Sequence, residues 1–224
     1  MSKKIKILLV DDHQLIIEGI CSYLKDFDNL HIESTNSCDS AFSSIKSSLP
    51  TIPFDIVFTD LSFDGSTNET IDGGESLIKA LQKEEIPIKI GVITGHSETN
   101  RVFNVIRNLN PLSYLLKGSI NTTELTFAIE RMLADKPYYS HEIHNKLLKR
   151  TLVEIQMDEV AIQILKELPK HTKIANLEGV IKKPDGNLLK IRAIESKLAK
   201  LRTDLNANNN TDLVLKAKEL GILD

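Results

Sequence analysis

Short apolar runs of strand length recur along the first part of the chain: Ile5 to Val10, Leu30 to Ser34, Phe54 to Thr59, Ile88 to Ile93 and Leu112 to Leu116. Each is followed by a segment whose apolar positions return at helical spacing. These are Leu15, Ile16, Ile20 and Leu24; Ala41, Phe42 and Ile45; Leu77, Ile78 and Leu81; Val102, Val105, Ile106 and Leu109; and Leu125, Ala128, Ile129, Met132 and Leu133. A fivefold strand-helix alternation of this kind predicts a doubly wound α/β unit, (βα)5, with helices on both faces of a parallel sheet. The last of the helices carries its own start signal, because Asn121 can cap and Glu124 stands in the return position of a capping box. Between the third strand and its helix, Asp64 to Gly74 is a polar loop containing Gly65, Gly73 and Gly74.

The pattern breaks at Asp135-Lys136-Pro137-Tyr138-Tyr139-Ser140, where proline ends the helical spacing. Beyond it, helical patterns run over Val160 to Leu168, Ile174 to Ile181, Leu188 to Leu205 and Asp212 to Leu220, a compact all-α module. The expected division is residues 1–135, a linker 136–151, and residues 152–224. The turn Lys182-Lys183-Pro184-Asp185-Gly186-Asn187 is punctuated by proline and glycine, with Asp185 or Asn187 placed to cap the next helix. In the third of these helices Ile191, Ile194, Leu198, Leu201 and Leu205 form an apolar stripe. Lys190, Arg192, Lys197, Lys200 and Arg202 lie off it. One apolar face with a basic remainder, after a turn, is what a helix needs to sit in a major groove among phosphates.

Composition changes this picture little: 224 residues, 41% hydrophobic and 26% charged, are those of an ordinary globular chain. No apolar run approaches the roughly 18 residues of a membrane span. Met1-Ser2-Lys3-Lys4 leads into a strand with no signal-peptide core, so a cytoplasmic location is expected. Cys21 and Cys38 lack metal-ligand spacing and read as reduced structural thiols. Charge does distinguish the halves, since residues 1–140 carry a net −6 and residues 141–224 a net +3. His141 and His144, on a predicted linker helix, lack further ligands and read as surface histidines.

The candidate chemistry lies at the strand ends. The first run ends in Asp11-Asp12, the third in Asp60, the fourth in Thr94-Gly95-His96 and the fifth in Lys117-Gly118. Ligands of open α/β sheets bind beyond strand C-termini, so all of these are delivered to one crevice. Converging carboxylates repel one another and call for a divalent cation or a lysine. Asp12 and Asp60 suit Mg²⁺, which takes oxygen ligands. Asp60, flanked by a cation and by Lys117, could then attack phosphorus and become an aspartyl phosphate.

At these residues, 1 to about 135 resemble the receiver domain of bacterial two-component response regulators, a flavodoxin-like fold. The resemblance implies that Asp60 is the phosphoacceptor, that Asp11, Asp12, Asp60 and the Ser62 carbonyl hold Mg²⁺, and that Lys117 completes the pocket. It also implies that Thr94 moves toward the phosphoryl group and that Tyr114 turns inward, altering the face made by the fourth helix, fifth strand and fifth helix. A sensor histidine kinase is the implied phosphoryl source, and a homodimer the implied product of phosphorylation. The chain departs from the family at Phe63-Asp64, where Met-Pro is usual, in the longer loop after it, and at Gly118, where many receivers have proline. His96 and Ser62, near the pocket, are candidates to tune hydrolysis of the acyl phosphate.

Residues 152–224 resemble the helix-turn-helix output module of NarL/LuxR-type regulators through Ala199-Lys200-Leu201-Arg202 and Asn210 to Ala217, although the usual first-helix signature is missing. The resemblance implies DNA binding, for which Lys190, Arg192, Lys197 and Lys200 are the candidates. The expected protein is a transcription regulator and not an enzyme. Two other readings stay open: a helical domain that binds a protein instead of DNA, and a phosphatase-like α/β enzyme using Asp60. The order of motifs argues against the second.

Overall fold

The computed structural model describes residues 4–63 and 70–223, with the side chains of 154–156 excepted. Positions 64–69 of the expected 64–74 loop lie outside the described residues. Contacts divide the chain into two units, residues 1–97 with 104–143, and residues 98–103 with 144–224.

The first unit is built on a parallel sheet of six strands in the order β2-β1-β3-β4-β5-β6. Its strands are β1 (Ile5–Val10), β2 (Leu30–Thr35), β3 (Ile56–Thr59), β4 (Lys89–Thr94), β5 (Ser113–Leu116) and β6 (Tyr138–Tyr139). The intervening helices are α1 (Gln14–Leu24), α2 (Cys38–Ser48), α3 (Gly74–Lys83), α4 (Thr99–Leu109) and α5 (Thr122–Leu133). β3 and β5 are buried at every position, as strands covered on both faces must be. Alternate residues divide between the two faces: Ile7, Leu9, Ile56, Phe58, Ile93 and Leu115 pack with Ile20 and Leu24 of α1 and Leu125, Ala128, Ile129 and Met132 of α5. On the basis of burial, each of the Ile, Leu, Phe and Met side chains among them contributes about 1.5–3 kcal/mol over exposure.

Local signals place the helix starts. Ser37 caps α2 by accepting the Ser40 N–H, and Asn121 caps α5 by accepting the Glu124 N–H at 3.0 Å. The sequence pattern indicated five strands, and the sheet has a sixth. Tyr138-Tyr139, expected in the linker, pairs in parallel with β5: Tyr138 N–H donates to Leu112 O at 2.8 Å and Ser140 N–H to Tyr114 O at 3.0 Å. A strand of two residues has no periodicity to read. It is held by its neighbour and by an edge-to-face contact between Tyr138 and Phe127, centroids 5.2 Å apart.

Helix α6 (His141–Gln156) runs through the expected 151/152 boundary and carries His141 and His144. In the second unit, α7 (Glu159–Glu167), α8 (Ile191–Asp204) and α9 (Asn210–Glu219) enclose a core that includes Ile164, Leu165, Leu177, Ile181, Ile194, Leu198 and Leu213. The helix expected over Ile174 to Ile181 is not formed. Only a 3-10 turn, Ile174–Leu177, is present, and the chain then bends through Gly179 into a short hairpin bridged at Lys182 and Leu188. Leu177 and Ile181 are both fully buried, so the spacing was that of core contacts and not of a continuous helix. The helix expected from Leu188 accordingly begins at Ile191.

Candidate phosphoacceptor site

The C-terminal ends of β1, β3, β4 and β5 lie side by side because the register pairs Val10 with Thr59, Thr59 with Val92 and Thr94 with Leu116. The next residues along β1, β3 and β5 are Asp11, Asp60 and Lys117. Asp11 and Asp60 are 4% and 5% exposed, which is uncommon for carboxylates unless they are paired. The Lys117 ammonium supplies the pairing, standing 2.7 Å from Asp11 Oδ2 and 2.8 Å from Asp60 Oδ2. Burial pushes the Lys117 pKa down, but its hydrogen bonds and charge contacts with Asp11 and Asp60 together raise it above the ordinary lysine value. The second Asp60 oxygen, Oδ1, accepts the Leu61 N–H at 2.6 Å.

His13 belongs to this cluster, although no sequence motif singles it out. Its Nδ1 is 2.8 Å from Asp12 Oδ1 and 3.2 Å from Asp11 Oδ1, and its N–H donates to Asp11 Oδ1 at 3.0 Å. Asp12 in particular raises the imidazole pKa. The only available signal was position, as the residue preceding α1.

Asp11, Asp12, His13 and Asp60 offer ligand atoms that all lie within 4.8 Å of one another. The three carboxylates outweigh the single Lys117 charge by two, and their donors are hard oxygens. That donor set fits Mg²⁺, with Asp11, Asp12 and Asp60 as the side chains that would hold it.

Thr94 is completely buried, and its hydroxyl accepts the His96 N–H at 3.3 Å. Tyr114 is also fully buried, and its hydroxyl donates to His96 O at 2.8 Å. Ser62 Oγ is 2.8 Å from His96 Nε2, which brings together the two residues expected near the pocket. Ahead of α3, the Thr70 and Ile71 N–H groups donate to the Asp39 carboxylate at 2.8 and 3.0 Å, and Gly74 N–H to Leu61 O at 3.3 Å. A Cβ on Gly74 would stand 1.7 Å from Asp60 O, so no larger residue fits there.

The four basic residues expected to contact DNA are not equivalent. Lys190 is the N-cap of α8, and Lys190, Arg192 and Lys200 are exposed. Lys197 is partly buried and pairs with Asp158, whose carboxylate also caps α7 through the Ala161 N–H at 2.8 Å. Lys197 therefore has a structural partner.

Comparison with known proteins bears on the family and the fold. The family profile described as the response regulator receiver domain matches residues 7–130. A nitrate/nitrite response regulator homolog of Haemophilus influenzae is 29% identical over 160 residues, covering 71% of this chain and 72% of its own. The response regulator GacA of Pseudomonas aeruginosa is 24% identical over 221 residues, 98% of each chain. Among solved structures, one of two RcsB dimers bound to two parallel DNAs aligns with a TM-score of 0.59 at 18% identity, over 97% of this chain and 99% of that one. The fold is thus shared over both units.

Proposed function

Because the chain belongs to the response regulator receiver domain family, we propose that it is a transcription regulator controlled by phosphorylation of Asp60, with a sensor histidine kinase as the phosphoryl source. The observation that carries this reading is the Lys117 ammonium bonded at once to Asp11 and Asp60 at the ends of β1, β3 and β5. That contact fixes the Asp60 carboxylate and gives a positive charge beside it.

In the reaction, an Asp60 carboxylate oxygen forms a bond to phosphorus as the bond from phosphorus to the donor breaks, leaving an aspartyl phosphate. Mg²⁺ held by Asp11, Asp12 and Asp60 would neutralise charge on the transferring oxygens. Lys117 and the Thr94 hydroxyl are the candidates to bind the new phosphoryl oxygens. The group adds about −1.5 to −2 charge, and each charge-assisted hydrogen bond to it is worth roughly 1.5–3 kcal/mol. That suffices to shift a nearly balanced equilibrium at Thr94 and His96, whose peptide Tyr114 also holds. Among the described residues no helix is long and apolar enough to cross a membrane. A regulator of this kind works in the cytoplasm, where it meets its DNA.

The second unit is proposed to bind DNA as a phosphorylation-dependent homodimer, supported by its fold likeness to RcsB, which has been seen as dimers on DNA. The exposed cations Lys190, Arg192 and Lys200 are its candidate contacts. The test is incubation with acetyl phosphate and Mg²⁺, then intact-mass measurement and binding to promoter-sized DNA. One phosphoryl group is expected on the wild type and none on Asp60→Asn, with tighter DNA binding after phosphorylation. Multiple turnover of a small phosphorylated substrate without accumulation of the phosphoprotein would point instead to a phosphatase.

A further inference from the structure

Where the sequence pattern indicated a helix, the second unit carries a hairpin. Its legs are pinned in the core by Ile181 and Leu189, 0% and 6% exposed, and closed by Leu189 N–H donating to Ile181 O at 2.8 Å. Its turn is closed by Lys183 N–H to Asn187 O at 2.8 Å and Gly186 N–H to Lys183 O at 2.9 Å. Gly186 has φ +83°, a conformation that favours glycine. The Asp185 carboxylate accepts the Asn187 N–H at 3.0 Å, and the first leg is tied to α7 by Lys182 N–H donating to Gln163 Oε1 at 2.7 Å. This is a set of constraints for a presented loop and not for a floppy connection.

Residues 182–188 are all exposed. They include Lys182 and Lys183, and the second leg runs directly into Lys190, the N-cap of α8. Among the described residues neither Lys182 nor Lys183 forms an ion pair, in contrast to Lys197 with Asp158 and Lys216 with Asp212. The single carboxylate of the tip, Asp185, is held chiefly by the Asn187 hydrogen bonds that close the turn, with the Lys183 charge a smaller influence on it. Two exposed ammonium groups, neither fixed in an ion pair among the described residues, are therefore carried on a constrained hairpin at the N-terminal end of the helix that presents Arg192 and Lys200.

We propose that residues 181–189 form a basic wing that grips the phosphate backbone of duplex DNA beside the site taken by α8, with Lys182 and Lys183 as the contacts. The proposal rests on the DNA-binding reading above and adds a second contact surface to it. Such contacts carry no base information, so the wing strengthens binding to every sequence alike and sets the register of α8.

The experiment measures binding of the phosphorylated full-length chain to a promoter-sized duplex and to a scrambled duplex across a salt series. Each phosphate contact contributes about 0.9 to the slope of log affinity against log salt. Lys182→Ala/Lys183→Ala is expected to lower the slope by about 2, to weaken both duplexes equally and to leave the thermal unfolding profile unchanged. Lys182→Arg/Lys183→Arg is expected to restore the slope. A wild-type slope in the double alanine variant, with the slope still reduced by Lys190→Ala/Lys200→Ala, overturns the wing and leaves DNA binding by α8 standing. No binding of the wild type at low salt overturns the DNA reading itself. Unchanged DNA binding together with lysine-dependent capture of polyglutamate assigns the hairpin to an acidic protein and likewise overturns the proposal.

Discussion

The Tyr114 hydroxyl donates to the backbone carbonyl of His96 across 2.8 Å. With the Thr94 hydroxyl accepting the His96 N–H at 3.3 Å, the same residue is held from both sides by two side chains of adjacent strands. Tyr114→Phe keeps the buried ring and loses the latch. It is expected to cost about 0.5–1.5 kcal/mol in urea unfolding, and wild-type stability would show the bond to be without net value. Thr94→Ala is expected to leave phosphorylation of Asp60 measurable by mass while abolishing phosphorylation-dependent dimerisation, read by light scattering.

Lys117 gives an alkaline prediction. Its folded pKa lies above the ordinary value of 10.5, so the stabilisation it contributes is complete below that value. It is lost as pH rises through the higher folded pKa. Wild-type stability is expected to fall at strongly alkaline pH by a component that Lys117→Met lacks, and the variant should already be less stable at pH 7. Chemical denaturation at pH 7 and above pH 10.5 compares them.

Gly74→Ala places a methyl group against Asp60 O, where its carbon would stand 1.7 Å away from an atom of backbone. The clash cannot be relieved by a rotamer, and a loss of about 1–3 kcal/mol or more is expected, together with slower phosphorylation as Asp60 is displaced. Gly118→Ala, with nothing within 4 Å of the added carbon, is the matched control and should be close to neutral. Equal behaviour of the two variants would contradict the packing.

Asp158 caps α7 and pairs with Lys197, and that pair, ahead of the Ala161 N–H bond, holds its carboxyl below the usual range. A depressed carboxylate stabilises above its unfolded pKa, about 3.9, and the benefit disappears as pH falls through the folded value. Asp158→Ala should destabilise the helical unit by about 0.5–2 kcal/mol at pH 7 and by less at pH 3, measured by circular dichroism in urea.

The strand ends were legible because each candidate residue stands at or just past the end of an apolar run whose direction is fixed by the parallel sheet. Asp11, Asp60, Thr94 and Lys117 then meet by register alone. Two features escaped for tertiary reasons. β6 exists only through hydrogen bonds to β5, and Tyr138-Tyr139 has no local signal of its own. Ile174, Leu177 and Ile181 have helical spacing, yet they reach the core from a 3-10 turn and a hairpin leg, a route that spacing does not distinguish from a helix. The role of Lys197 was hidden likewise, since its partner Asp158 lies far away in sequence.

The parallel pairing of Tyr138-Tyr139 with β5 also determines where the molecule can be cut. Ending the chain at Asp135, where the proline break invites it, strips the outer strand and leaves the Leu112 and Tyr114 carbonyls of the β5 edge without their donors. An uncovered edge recruits whatever extended chain is at hand, including its own copy. A receiver prepared for isolated study should therefore extend through Ser140, and self-association of any shorter fragment reports on the exposed edge before it reports on signalling.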